Sequence, residues 1–174
     1  MGEVTAIGAL GASISAPSAI SKAHDLTRFR CGKDALDDWL RQRALKAEGK
    51  TARTYVVCQG PVAVVGYFSI AMGAVQRAAA PKKLQNNAPD PIPVAVLARM
   101  AVDVRFRGQG LGAGLLRDGL KLCLQASTII GARAVLVHAI DDEVRPFYEK
   151  YGFVAFPAGS KTLFLPLQTI VDAL

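Results

Sequence analysis

The stretch Leu97-Ala98-Arg99-Met100-Ala101-Val102-Asp103-Val104-Arg105-Phe106-Arg107-Gly108-Gln109-Gly110-Leu111-Gly112 decides how this chain is read. The apolar and β-branched run from Val94 to Val104 predicts a buried strand. Arg107 to Gly112 then places three glycines in six residues, and Leu115, Leu116, Gly119, Leu120 and Cys123 recur at helical spacing. A strand, a glycine turn and a helix start in succession aim several backbone N–H groups and the positive end of a helix at one point. Such a point suits phosphate. Glycine is required because a Cβ would hold the anion off the amides and would penalise positive φ.

Two common glycine-rich phosphate motifs do not fit. A P-loop closes on Gly-Lys-Ser/Thr, whereas this turn runs on as Gly112-Ala113-Gly114. A dinucleotide fingerprint needs Gly-x-Gly-x-x-Gly, a spacing that Gly108, Gly110 and Gly112 lack. What remains, Arg-x-x-Gly-x-Gly at Arg107, Gly110 and Gly112, resembles the pyrophosphate loop with which GNAT N-acetyltransferases hold acetyl-coenzyme A. Downstream, Ala134 to Ile140 predicts a second buried strand. Asp142 to Gly152 predicts a short helix that acidic residues open and a glycine closes. Within it, Phe147-Tyr148-Glu149-Lys150-Tyr151-Gly152-Phe153 resembles the second signature of the same family, and the two motifs stand in the family's order.

Composition agrees with a packed globular domain. The 174 residues are 51% hydrophobic with a mean hydropathy of +0.26, which fits one domain with a full core and argues against disorder. No apolar run reaches the roughly 18–20 residues of a membrane helix. The opening Met1 to Ile20 lacks a basic n-region, so no signal peptide is expected. Cys31, Cys58 and Cys123 are odd in number and far apart, fitting neither a zinc site nor a disulfide framework; buried thiols in a reducing cytoplasm are expected, and no metal.

The net charge is +7 and its distribution is uneven. Between Glu48 and Asp90 there is no acidic residue, while Lys50, Arg53, Arg77, Lys82 and Lys83 fall there. Arg28, Arg30, Lys33, Arg41, Arg43 and Lys46 form a second cluster upstream, partly offset by Asp34, Asp37 and Asp38. Such a bias fits an acidic partner such as nucleic acid, or the phosphates of coenzyme A on an otherwise solvated basic surface.

Along the chain, Met1 to Ala12 shows no period and is expected to be flexible, with residues 13–174 forming the domain. Ile14 to Ser21 reads as an edge strand and turn, and His24 as a capping residue. Asp34 to Ala47 predicts one amphipathic helix with Leu36, Trp39, Leu40, Ala44 and Ala47 inward and Trp39 as a core anchor. Thr54 to Cys58 and Val62 to Ala71 predict two strands joined at Gln59-Gly60-Pro61. Residues 76–93 read as a long functional loop. The helix after the glycine turn should run to about Thr128, Val154-Ala155-Phe156 and Lys161 to Leu167 should be short strands, and Thr169 to Leu174 a tail.

The family resemblance implies one α/β (α+β) domain, a mixed central β-sheet with flanking helices and a splayed central strand that binds acetyl-CoA. It implies that Met100, Ala101 and Val102 pair with the pantetheine arm. The pyrophosphate would rest on Arg107, Gly108, Gln109, Gly110, Leu111 and Gly112. It also makes Tyr148 the general acid for the departing thiolate, a role open to a phenol of pKa about 10, and leaves Tyr151 to packing. A base is harder to place: Arg99 is the only charged residue from Leu97 to Val102, and Asp103, His138 and Glu149 lack positional support. An enzyme without a strong base suits α-amines, with pKa about 7.7–8.0, better than lysine amines at about 10.4.

The upstream half narrows the resemblance. Phe29-x-Cys31-Gly32, Leu36-Asp37-Asp38-Trp39-Leu40, Ala44, Val56 and Val65-Gly66-Tyr67-Phe68-Ser69 are similar to the TacT/AtaT-type toxins of type II toxin–antitoxin systems, and the likeness runs from about Ile14 to Leu167. That subgroup implies acetylation of the α-amine of aminoacyl-tRNA, arrest of translation, a ribbon-helix-helix antitoxin as partner and a homodimer. Arg41, Arg43, Arg77, Lys82 and Lys83 are then the expected tRNA contacts. The alternatives are a GNAT acting on a protein N-terminus or small amine, and a GNAT that has lost catalysis and only binds.

Overall fold

The alternation of strand and helix segments builds one mixed sheet. The computed structural model describes residues 14–173, so the expected flexible stretch Met1 to Ala12 lies outside the described residues. Seven strands are formed: β1 (Ser18–Ala19), β2 (Arg53–Gln59), β3 (Ala63–Val75), β4 (Ile92–Val102), β5 (Ala134–His138), β6 (Val154–Ala155) and β7 (Thr162–Pro166). Their order in the sheet is β1-β2-β3-β4-β5-β7-β6. The α-helices are α1 (Asp34–Gln42), α2 (Ala44–Ala47), α3 (Lys82–Gln85), α4 (Leu111–Ser127), α5 (Arg145–Lys150) and α6 (Leu167–Ala173). β4 and β5 pair in parallel, Val94 to Leu97 against Ala134 to Val137, as strands joined through a helix can. The pairs β1–β2, β2–β3, β5–β7 and β6–β7 are antiparallel. This is the α/β arrangement the motifs led us to expect.

The chain divides into two compact units, residues 14–70 with 99–119, and residues 71–98 with 120–173. In the first, Phe29, Leu40, Ala44, Val56, Tyr67 and Ala101 share a buried cluster. Tyr55 and Phe68 face each other across β2 and β3 with stacked rings 5.3 Å apart, an aromatic pair of the kind that fixes register. In the second, Ala80, Leu84, Ile92, Val94, Leu136 and Phe164 form a separate buried cluster.

Several elements differ from the sequence reading. The helix expected from Asp34 to Ala47 is interrupted at Arg43, which has a distorted φ of −117° and belongs to neither α1 nor α2; Ala44 beyond it is fully buried and Leu45 is exposed. The loop expected over residues 76–93 is half structured. It holds a 3₁₀ turn at Arg77–Ala79 and then α3, because Ala80 and Leu84 are buried with Ile92 and the Asp90 carboxylate accepts the Arg77 N–H at 3.0 Å. The expected tail from Thr169 is the helix α6: Leu167 and Ile170, three apart, bury one face, and Gln168 donates to Asp172 at 3.0 Å. The edge strand from Ile14 shrinks to the two-residue β1 and a bridge between Ile14 and Gln59.

Candidate active site

β4 ends at a staple. Asp103 is fully buried just past the strand, and its N–H donates to the Val65 carbonyl at 2.9 Å. Its carboxylate accepts the N–H groups of Arg30 (3.2 Å) and Arg105 (2.9 Å) and the Nε and Nη2 of Arg105, both at 3.0 Å. Burial pushes this carboxyl up, but four donors outweigh it and hold it below the ordinary carboxylate range. Asp103 is therefore fixed as an acceptor, which removes it from the bases considered above.

The glycine turn follows. Gly108 and Gly110 take φ of +74° and +80°, conformations that strain a residue with a Cβ. The Gly110 carbonyl accepts the Gly114 N–H at 3.1 Å. Gly110 thus stands immediately before α4, and the amides of Leu111, Gly112 and Ala113 have no carbonyl upstream in the helix. Leu111, Leu115 and Leu116 are buried and seat this end of α4, while Arg107 to Gly110 are exposed. Amides without an upstream helical carbonyl at the start of a 17-residue helix, beside the exposed turn Arg107 to Gly110, are the kind of group that suits an anion such as a pyrophosphate.

The Arg107 side chain is engaged within the chain. Its guanidinium donates to the Cys31 carbonyl and lies against Gly32, where a Cβ would come within 2.9 Å of Nη2. Gly32 itself has a φ of +90°. The side chain ties the glycine turn to the segment preceding α1 instead of standing free in solvent. Cys31 is also anchored, its N–H donating to the buried Asp37 carboxylate at 2.9 Å.

Upstream of the staple, the register that pairs β4 with β5 stops at Leu97, and β4 continues to Val102. Met100 and Val102 are half-buried and Ala101 is buried. Arg99, on the same face of the strand as Ala101, stacks on Trp39 with its guanidinium carbon 4.2 Å from the ring centroid. Trp39 in turn stacks on Tyr67 at 6.1 Å and an interplanar angle of 12°. Trp39 packs half-buried against the core cluster, the anchoring role expected of it, and is also a layer between a buried phenol and a cation. The period of two along β4 groups Arg99 with Leu97 and Ala101.

Tyr148 lies in the middle of α5 and is 6% exposed. Its ring meets Phe147 and Phe153 edge to face, at 5.2 and 5.6 Å. Burial pushes the phenol above its ordinary value, so it stays protonated through neutral pH. α5 is held from outside by Arg145, which reaches Asp142 at 3.0 Å, Glu149 at 3.1 Å and the Gly159 carbonyl at 2.7 Å. Glu149 is thereby engaged as well. His138 is exposed on β5 with Nδ1 3.0 Å from the Thr162 hydroxyl. Tyr151 is buried against Phe147, the packing role expected.

The remaining expectations divide. Arg43, Arg77, Lys82 and Lys83 are exposed, whereas Arg41 donates to the Phe29 carbonyl at 2.6 Å and faces Asp38 at 3.6 Å. His24 accepts the Ser21 N–H on Nδ1 at 3.0 Å, the capping geometry expected of it. The three cysteines are buried and unpaired, with thiols pushed up by burial, to about 11 for Cys31 and about 12 for Cys123. Among the described residues no group of His, Cys, Asp and Glu side chains is arranged to hold a metal, and no helix is long and apolar enough to cross a membrane.

Comparison with known proteins bears on this geometry. The family model of the acetyltransferase (GNAT) domain matches residues 50–155. The chain is 45% identical over 155 residues to a tRNA-acetylating toxin of Mycobacterium tuberculosis (strain ATCC 25618 / H37Rv), covering 88% of this chain and 93% of that protein. Among solved structures, a tyrosine-to-phenylalanine mutant of KacT superposes with a TM-score of 0.87 at 25% identity, over 93% of this chain and 99% of that one. AtaT complexed with acetyl-methionyl-tRNAfMet gives 0.83 at 28% identity, over 92% and 98%. AtaT bound to the C-terminus of the antitoxin AtaR and acetyl-CoA gives 0.79 at 26%, over 92% and 98%. With its two signatures on the sheet and helix that the motifs require, the chain belongs to the GNAT family of acetyltransferases.

Proposed function

We propose that this chain transfers acetyl from acetyl-CoA to the α-amino group of aminoacyl-tRNA and so blocks translation. The observation that carries the reading is the 45% identity, over 88% of the chain, with a tRNA-acetylating toxin. Three features of this chain support it. A glycine turn at the start of α4 suits the coenzyme pyrophosphate. The stretch from Glu48 to Asp90 is free of acidic residues, and Arg77, Lys82 and Lys83 in it are exposed. No strong base stands on β4, which favours an amine already partly neutral at physiological pH.

In this reading the acetyltransferase domain spans residues 13–174. Met100, Ala101 and Val102 present backbone groups to the pantetheine arm, and Arg107, Gly108, Gln109, Gly110, Leu111 and Gly112 form the pyrophosphate cradle. Acetyl-CoA supplies an activated acyl group and a thiolate leaving group. Tyr148 gives its phenolic proton to that sulfur; the phenol is protonated at physiological pH and therefore has the proton to give. The protein is cytoplasmic, acts as a homodimer and is neutralised by a ribbon-helix-helix antitoxin; the AtaT–AtaR complex supports the existence of such a partner.

Transfer of radiolabelled acetyl from acetyl-CoA to bulk charged tRNA, beside deacylated tRNA, tests the proposal. Label on charged tRNA alone, lost with Tyr148→Phe, is expected. Absence of label with acetyl-CoA still bound would overturn the tRNA reading and point to protein N-termini.

A further inference from the structure

Arg99 is a cation in an unusual setting. It is half-buried in β4, and among the described residues its guanidinium makes no ion pair; its one close partner is the face of Trp39. Burial lowers its pKa, with only the Tyr67 phenol acting against that. The support beneath it is rigid. Tyr67 is fully buried, donates its hydroxyl proton to the Leu36 carbonyl at 2.8 Å and is braced edge to face by Phe29 at 5.6 Å. Trp39 lies flat on Tyr67, and Arg99 lies on Trp39. A guanidinium clamped by its face keeps its in-plane N–H donors in a fixed fork, the geometry that suits bidentate binding of a phosphate. A partly desolvated cation with no carboxylate partner among the described residues is completed by an anion from outside.

We propose that Arg99, seated on Trp39, binds the phosphodiester next to the esterified 3′-terminal nucleoside of the acceptor. The inference rests on the aminoacyl-tRNA reading given above. Arg99 adjoins Met100, at the acetyl end of the proposed coenzyme track, whereas the coenzyme's phosphates are assigned to the turn from Arg107 to Gly112 on the far side of the Asp103 staple. The thioester end carries no charge of its own, so an anion at Arg99 comes from the second substrate. In aminoacyl-tRNA the phosphodiester nearest the reacting amine is the one that joins the terminal adenosine to the preceding cytidine.

Two minimal acceptors separate the possibilities: aminoacyl-adenosine, which has no phosphodiester, and the aminoacylated cytidylyl-adenosine dinucleotide, which has that one. In the wild-type protein the dinucleotide should be favoured in kcat/KM by about tenfold or more, the size of a charge-assisted contact. In Arg99→Gln the preference should collapse towards unity. Arg99→Lys, which keeps charge but loses the planar stack, should retain only part of it, and acetyl-CoA binding by both variants reports that they fold. An unchanged preference in Arg99→Gln, or an effect confined to the KM for acetyl-CoA, would overturn the assignment and leave the tRNA reading standing. Failure of the wild-type protein to acetylate charged tRNA and both mimics would overturn that reading, and the role of Arg99 with it.

Discussion

The glycine turn and the Tyr148 helix solve opposite problems. The turn from Arg107 to Gly110 is exposed and leads into the free amides of α4, so what it offers a ligand is backbone, and its positive-φ glycines matter more than side-chain chemistry. α5 offers one side chain, so Tyr148 is buried, wedged between Phe147 and Phe153 and locked by the three contacts of Arg145. Binding built from backbone tolerates solvent because the helix end supplies its field. The proton transfer proposed for Tyr148 needs its phenol fixed in place, and the packing of α5 holds it; burial raises its pKa, so it stays protonated well past neutral pH. Substitutions in the two places should therefore fail in different ways: in KM at the turn, in kcat at the helix.

Tyr148→Phe should be the largest effect. Loss of one acid lowers kcat by about 10²- to 10⁴-fold, with little change in thermal stability, because Phe keeps both edge-to-face contacts. Steady-state kinetics check this; a loss expressed only in the KM for acetyl-CoA would dissolve the contrast. The pH profile is next in size. Below the acceptor α-amine pKa of about 7.7–8.0, kcat/KM should rise about tenfold per pH unit as the ammonium loses its proton. Burial raises the Tyr148 pKa, so the protonated acid persists to higher pH, and the falling limb should appear only above about 10, the ordinary phenol value. A falling limb near neutrality would mean that another group is the acid.

Gly108→Ala probes the turn. A Cβ built there meets no atom of the protein within 4 Å, so the stability cost is that of φ +74° alone, about 1–2 kcal/mol. The KM for acetyl-CoA should rise by about tenfold, as an amide displaced from phosphate costs roughly one charge-assisted bond. Thermal melts and acetyl-CoA titrations separate the two terms. A variant that melts lower but binds normally would show that this glycine serves the fold and not the ligand.

These sites were unequally legible in the sequence. The turn could be read outright, because positive φ demands glycine at Gly108 and Gly110 and amide access favours it at Gly112, all within a strand–helix junction. The position of Tyr148 was readable only through the seven-residue likeness from Phe147 to Phe153, as nothing in local periodicity separates it from Tyr151, which only packs. The break at Arg43 and the helix α6 were hidden because they arise from distant burial: Ala44 in one cluster, Leu167 and Ile170 under another face. The Arg99–Trp39–Tyr67 stack joins residues 99, 39 and 67 from three elements, and one sequence carries no sign that they meet.

The smallest effect concerns Arg107, where the two kinds of site meet. If its guanidinium served as a phosphate ligand, Arg107→Gln would weaken acetyl-CoA binding and flatten its dependence on salt, since a screened charge would be gone. The structure instead gives the guanidinium to the Cys31 carbonyl. Arg107→Gln should then raise the KM for acetyl-CoA only severalfold, in keeping with one lost hydrogen bond of about 0.5–1.5 kcal/mol, and leave the salt dependence as it was. Gly32→Ala supplies the control. Its Cβ would press on Nη2 from 2.9 Å and, with the strain of a φ of +90°, disturb the same guanidinium–carbonyl contact without removing any charge. Matching rises in KM for the two variants, at unchanged salt dependence, would show that Arg107 acts by holding the turn in place. A normal KM in Gly32→Ala beside a weakened Arg107→Gln would return the arginine to the phosphate, and the turn would then owe part of its grip to a side chain after all.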